Sequence, residues 1–371
     1  NRFPGTTCLC WASMTRDMTN AIRVVGGGLL AAGVLAAGAA AGAAAERIML
    51  ARGSKPDDKW SMDEFDPVTS EVVTSDGTVL HVEIDEDESP LTIIFCHGYA
   101  LSLDSWYFQR KALQGQARLV FYDQRSHGRS GRADFDSHHV EQLGEDLGDL
   151  IAAFAPTGPL MLVGHSMGGM SIMAFAEQQP EVIRERVYGV ALIASSAGGL
   201  TEVTLGLPAP LGHIFHRIAS PAAAALARRR NIVERGRRTS SDLGMLLTRL
   251  YSFGSVASEQ AGQLVSNMIT ATPIDVLAEF LPALLDHDKR DALPILQHAE
   301  VLVIVGDSDR LTPRSHSEEI VGRIPGAEFA VIKDGGHMVN IEHHEQVDAL
   351  LQTLLVRVKR DIDGASGSGV A

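Results

Sequence analysis

The sequence predicts an α/β fold, a doubly wound and mostly parallel sheet that carries a helical cap insertion. Three observations carry this expectation. Short apolar runs rich in β-branched residues alternate with segments of helical period, the pattern of parallel strands covered on both faces. The alternation stops between residues 200 and 290, where Ala, Leu, Arg and Ser follow a helix-like period without a strand. It resumes at Val301.

Taken in order, residues 1–21 read as an unstructured leader, the part ahead of Met14 and Met18 being open to a reading as translated sequence upstream of the native start. Cys8 and Cys10 fall there and carry no weight. Residues 22–45 form an apolar segment without charge from Val24 to Ala45, built mostly of Gly and Ala. Roughly twenty such residues reach across a bilayer. Three readings stand: a single-span anchor, a signal peptide with Arg16 and Arg23 before it and Ala43-Ala44-Ala45 at its end, or an Ala/Gly-rich leader. The protein is accordingly expected to be membrane-associated through this segment or exported, with a cytoplasmic location left open. Flanking charges are balanced by Arg47, Arg52 and Lys55 and set no orientation.

Residues 46–67, charged and broken by proline, read as a linker. Val72-Val73 and Val79 to Ile84, separated by Ser75-Asp76-Gly77, predict a hairpin. Strands follow at Leu91 to Cys96, Leu119 to Tyr122, Leu160 to Val163, Val187 to Ile193, Val301 to Val305 and Glu328 to Ile332. Helices are expected at Val140 to Phe154, Met167 to Gln179 and Glu345 to Arg357. The core is therefore assigned to 68–199 and 291–360, the cap to 200–290, and a disordered Gly/Ser-rich tail to 361–371.

Composition bounds the function. The 371 residues are 45% hydrophobic and 21% charged, ordinary for a globular protein, and the net charge of −14 speaks against nucleic acid, whose binders need a basic face. Three cysteines make no disulfide framework, and Cys96 lies in a core strand. No Cys, His, Asp or Glu spacing fits a metal site, and no cofactor is implied.

Chemistry concentrates in four loops. Gly164-His165-Ser166-Met167-Gly168-Gly169 joins a strand to a helix, and so tight a turn needs small residues at Gly164 and Gly168. It lifts Ser166 above the sheet edge as a nucleophile. A serine hydroxyl needs an imidazole to accept its proton. His337, in Gly335-Gly336-His337, follows the last strand and is the expected base; His343 and His344, at the start of the final helix, read as solvated or capping residues. The imidazole needs a carboxylate to fix its tautomer. The loop Gly306 to Pro313 offers Asp307 and Asp309; Asp309 lies past the turn and is preferred, while Asp307 suits the turn's own amides. Ala194-Ser195-Ser196-Ala197, after the preceding strand, offers no acid. Two backbone amides should stabilise a tetrahedral oxyanion, and those of Met167 and of Tyr99, after Gly98, are the candidates. His97 reads as structural.

Together these motifs resemble the α/β-hydrolase superfamily from about Val72 to Val356, with a resemblance to uncharacterised actinobacterial hydrolases that extends to the Ala/Gly-rich leader. Asp123-Gln124-Arg125-Ser126-His127-Gly128-Arg129-Ser130 resembles the family's Asp-x-Arg-Gly-x-Gly-x-Ser loop, with Ser126 at the usual glycine, so the loop is expected to avoid positive φ there. By that resemblance Asp123 and Arg125 stabilise the fold. A serine at position 166 disfavours epoxide hydrolase and haloalkane dehalogenase chemistry, since similar enzymes of those kinds carry aspartate there.

The expectation is a serine hydrolase of the carboxylesterase or lipase-like kind, cleaving a small-molecule ester or thioester. Leu205, Leu207, Leu211, Ile214, Phe215, Leu277, Phe280 and Leu281 in the cap suit a lipid-like acyl chain or simply the cap's own core. Arg228 to Arg230 with Arg235, Arg237 and Arg238 suits anionic head groups or a solvated helix face. The alternatives are a cofactor-free perhydrolase or haloperoxidase-like enzyme using the same residues, and a non-catalytic binding protein on this fold. The oligomeric state is not legible.

Overall fold

Among the described residues, eight strands form one sheet in the spatial order Val68–Val73 (β1), Val79–Asp85 (β2), Arg118–Tyr122 (β4), Thr92–Cys96 (β3), Leu160–His165 (β5), Val187–Ile193 (β6), Glu300–Gly306 (β7) and Glu328–Ile332 (β8). The computed structural model describes residues 61–203, 252–255 and 258–368, all within the second of two units, Ser54–Ala371. The apolar segment 22–45, the basic cluster and the cap residues Leu205, Leu207, Leu211, Ile214 and Phe215 lie outside the described residues. Strand β1 (Val68–Val73) pairs antiparallel with β2 (Val79–Asp85), and β2 antiparallel with β4 (Arg118–Tyr122). The other neighbours, β3 (Thr92–Cys96), β5 (Leu160–His165), β6 (Val187–Ile193), β7 (Glu300–Gly306) and β8 (Glu328–Ile332), run parallel.

The continuous apolar runs have a direct cause, because both faces of the sheet are covered. Side chains alternate across a strand. Ile94, Val120, Leu162, Leu192 and Val303 enter one buried cluster with Leu147 of helix α2 (Val140–Phe154) and Ile172 of helix α3 (Met167–Gln178). Their strand neighbours Ile93, Phe121, Val163, Ile193 and Ile304 enter another, under Leu113 of helix α1 (Tyr107–Leu113) and Leu351 and Leu355 of the final helix. The short helix α4 (Pro180–Arg186) leads into β6.

Three expectations are corrected. The end of the expected linker is docked: Ser61 caps a 3-10 turn at Met62–Glu64, Tyr107 donates to Glu64 at 2.8 Å, and the Arg110 guanidinium lies 4.6 Å from the Phe65 ring centre. The final helix runs to Ser368 through residues expected to be a disordered tail, with Ile362 packed against the second core cluster. Ser126 adopts φ +64°, the conformation expected to be avoided. Its hydroxyl accounts for this, since it lies 2.8 Å from His138 Nε2 and accepts the Ala133 amide at 2.9 Å, bonds that offset the strain.

In the cap region, helix α5 (Glu259–Ala271) and helix α6 (Ile274–Asp286) are bent against each other by 93°. Among the described residues no single helix is long and apolar enough to cross a membrane. Val276, Phe280 and Leu284 recur every fourth residue on α6, and they pack on Met167 and Met170 of α3. Chain entry to the cap and exit from it meet where the Lys289 amide donates to Ala197 O at 2.7 Å. Helices α7 (Arg314–Arg323), α8 (Val339–Glu342) and α9 (His344–Ser368) complete the order.

Candidate active site

The site lies at the carboxyl ends of the parallel strands, where strand order reverses around β3 and β5, the place at which open α/β sheets hold ligands. Ser166 sits between β5 and α3 with φ 53° and ψ −117°, a strained conformation for a residue with a side chain. Its amide donates to Ile193 O at 2.9 Å, and the Ser195 hydroxyl donates to Ser166 O at 2.8 Å, so neighbouring strand ends hold the turn. Gly168 has no room for a side chain: a Cβ there would lie 1.9 Å from Cys96 O and 2.8 Å from His97 O. The start of α3 therefore lies directly against the loop after β3.

The structure brings Ser166, His337 and Asp309 together. His337 Nε2 is 2.9 Å from Ser166 Oγ, and His337 Nδ1 is 2.9 Å from Asp309 Oδ2. An ionised carboxylate only accepts, so Nδ1 carries the proton and the Nε2 lone pair faces the serine hydroxyl. Asp309 Oδ1 accepts the amides of Leu311 at 2.8 Å and Thr312 at 3.0 Å, and the Thr312 hydroxyl lies 2.7 Å from Oδ2. Burial opposes the charge, but the His337 imidazole and these Thr312 donors outweigh it and hold the Asp309 pKa below the usual carboxylate value.

Asp307 lies elsewhere: its Oδ1 accepts the Asp334 amide at 2.8 Å and the Ser308 hydroxyl at 3.0 Å. His97 is fully buried with Nε2 accepting the Gln124 amide at 2.9 Å and Nδ1 donating to Gly98 O at 2.8 Å, and burial pushes its pKa down to about 4. Both ring nitrogens are thus committed. His344 stacks on Phe108 with ring centres 3.9 Å apart, and both it and His343 are half-buried. Arg125 is enclosed between Asp146, at 2.6 Å, and Asp76, at 2.7 Å, while Asp123 accepts the amides of Leu103 and Arg129, each at 2.8 Å.

As the first residue of α3, Met167 has one of the amides for which the helix supplies no carbonyl. Tyr99 lies in a turn closed by the Leu101 amide on Gly98 O at 3.2 Å, and its hydroxyl donates to Leu277 O on α6. Cap and loop are thereby joined. Among the described residues, no group of three or more His, Cys, Asp or Glu side chains is arranged to hold a metal ion.

Sequence reasoning passes over three residues. Thr312 reads there only as part of the acid loop, yet it bonds Asp309 and also lies 2.9 Å from Ala194 O. His165 reads only as the variable residue of the serine motif, yet its Nε2 donates to His337 O at 2.9 Å. Burial first, and then the neighbouring His337, push the His165 pKa down to about 3, so it is neutral there. Glu342, buried on α8, has no signal beyond lying five residues after His337.

The sequence matches the Alpha/beta hydrolase family over residues 93–350. The chain belongs to that family. It is 26% identical over 276 residues to the dihydrolipoyllysine-residue acetyltransferase component of the acetoin cleaving system of Pseudomonas putida, covering 73% of this chain and 64% of that protein. Similarity to 3-oxoadipate enol-lactonase 1 of Acinetobacter baylyi is 26% over 277 residues, 74% of this chain and 92% of the lactonase. Among solved structures, a thermophilic esterase from Thermogutta terrifontis superposes with a TM-score of 0.61 at 24% identity, covering 79% of this chain and 99% of the esterase. The chain thus shares its family with an enol-lactonase and its fold with an esterase.

Proposed function

We propose that the protein is a serine hydrolase of carboxylic esters, working through an acyl-enzyme on Ser166. The observation that carries this is the pair of 2.9 Å contacts running from Ser166 Oγ through His337 to Asp309. In the first step Ser166 Oγ attacks the ester carbonyl carbon while its proton passes to His337 Nε2. Asp309 stabilises the resulting imidazolium. The negative oxygen of the tetrahedral intermediate is received by the amides of Met167 and Tyr99. Collapse breaks the carbon–oxygen bond to the alcohol, which leaves with the proton from His337. Water then repeats the sequence on the acyl-serine and releases the acid.

The acyl group is an apolar one in this reading. Leu277 and Leu281 are half-buried on α6, and that helix is tied through Leu277 O to the Tyr99 loop, which supports an apolar wall beside the acyl carbonyl. Phe280 contributes nothing to such a wall, being wholly buried against α3.

A series of p-nitrophenyl esters from acetate to decanoate tests both parts. The expected result is turnover whose kcat/KM rises with chain length and is lost by more than about 10³-fold in Ser166→Ala. A flat profile would remove the apolar acyl group from the account. Undiminished turnover in Ser166→Ala would remove the mechanism.

A further inference from the structure

The backbone on both sides of His337 is fastened to one short segment of the cap region, residues 252–255. On the carboxyl side the Met338 amide donates to Ser252 O at 2.7 Å. On the amino side the link runs through a side chain. Glu342 Oε2 accepts the amides of Gly336 at 2.6 Å and Gly254 at 3.1 Å, while Oε1 accepts the Ser255 amide at 2.6 Å and the Ser255 hydroxyl at 2.7 Å. The two backbones touch: a Cβ on Gly254 would lie 2.7 Å from Gly336 N, and one on Gly336 would lie 2.3 Å from Gly254 N. Four donors converge on one buried carboxylate, and three of them come from the cap segment.

We propose that Glu342 is a positioning residue that registers the histidine loop against the cap segment, so that the placement of residues 252–255 sets the alignment of the His337 imidazole. Glu342 touches neither Ser166 nor Asp309 and acts through Gly336. The chemical reason for a carboxylate is its capacity: two acceptor oxygens take four donors, which no neutral side chain of this size does. A displacement of about 1 Å at the base costs about 10²-fold in rate, so a tether on the residue next to it bears on kcat. This inference rests on the acyl-enzyme reading above.

The test measures kcat and KM for p-nitrophenyl butyrate, normalised to sites titrated with a fluorophosphonate, in the unaltered protein and in Glu342→Gln, Glu342→Ala and Gly254→Ala. Gly254→Ala leaves Glu342 and the three candidate catalytic side chains in place but wedges the cap segment off the histidine loop. Expected is a loss of kcat per titrated site of at least about tenfold in Glu342→Ala and Gly254→Ala, with KM within about twofold. Glu342→Gln keeps one acceptor oxygen but turns an NH2 group toward the donors the other oxygen held, so its kcat per titrated site falls between those of the unaltered protein and Glu342→Ala. Should Glu342→Ala fail to fold, Gly254→Ala and Glu342→Gln carry the comparison. Unchanged kcat per titrated site in Gly254→Ala, with any lost activity explained by fewer titrated sites, would overturn the proposal. Failure of the reading beneath it is seen separately, as a probe that does not label Ser166 in the unaltered protein.

Discussion

At the scale of single residues, Asp307 and Asp309 are two positions apart and occupy different environments. Asp309 meets His337 and is fed by Leu311 and Thr312, whereas Asp307 holds the Asp334 amide and the Ser308 hydroxyl. Asp309→Asn should therefore lower kcat by about 10³–10⁴-fold, because an amide no longer fixes the Nδ1–H tautomer. Asp307→Asn should leave kcat within about threefold and cost about 1 kcal/mol of stability. Steady-state kinetics with denaturant unfolding separates the two, and equal kinetic losses would contradict the assignment. Ser126 gives a second test. Alanine there keeps the strained φ and loses both hydroxyl bonds, whereas glycine loses the bonds and relieves the strain. Ser126→Gly should exceed Ser126→Ala in unfolding free energy by about 1 kcal/mol. The reverse order would show that strain at this position is not a significant cost.

At the scale of elements, the joint between cap helix α6 and the core combines one hydrogen bond, a charged cluster and an apolar stripe. Tyr99 donates to Leu277 O, Arg132 pairs with Glu279 and, at 3.4 Å, with Asp275, and Val276, Phe280 and Leu284 lie on α3. Tyr99→Phe removes the bond and leaves the apolar contact intact. Its expected cost is about 1 kcal/mol, appearing as faster hydrogen exchange in α6 with the sheet unchanged. Uniformly faster exchange across the sheet would contradict a local joint. Strand positions are readable in the sequence because each central strand is buried on both faces and so needs apolar side chains throughout. The serine turn is readable for a related reason, since the close approach of Gly168 to Cys96 O admits no larger residue. Glu342, Thr312 and His165 are not readable. Their partners lie in other loops, and a buried carboxylate that takes four donors has no local pattern in sequence. The left-handed Ser126 escapes a sequence reading because its compensation comes from His138, twelve residues away. The length of α9 escapes it because Gly and Ser near the helix end outweigh the lone large apolar side chain of Ile362, which packs against the second core cluster.

At the scale of the whole molecule, several buried histidines make stability sensitive to mild acid. Burial pushes His97, His138 and His287 down to about 4, and His127 and His165 to about 3, from an ordinary 6.5. The sign follows from proton counting. Between about pH 6.5 and pH 4 the unfolded chain takes up protons at these positions and the folded one does not, so stability falls as pH falls. Each such histidine contributes up to about 1.4 kcal/mol per pH unit in that window. Asp309, with its pKa held below 3.8, adds its own loss only toward and below that value. Urea unfolding midpoints should therefore decline steadily from pH 7 to pH 4.5, a range in which carboxylates alone would have little effect. A flat profile across it would contradict the neutral burial of these imidazoles. Ser166 Oγ meets a sixth histidine, His337, at 2.9 Å.

The mechanism centres on a covalent acyl group on Ser166, and the most direct measurement is rapid quenching of the protein with p-nitrophenyl butyrate followed by peptide mass spectrometry. The account predicts a burst of p-nitrophenol equal to the titrated sites and a butyryl adduct on the peptide containing Ser166. A linear time course with no adduct at Ser166, or an adduct elsewhere that persists in Ser166→Ala, would contradict it.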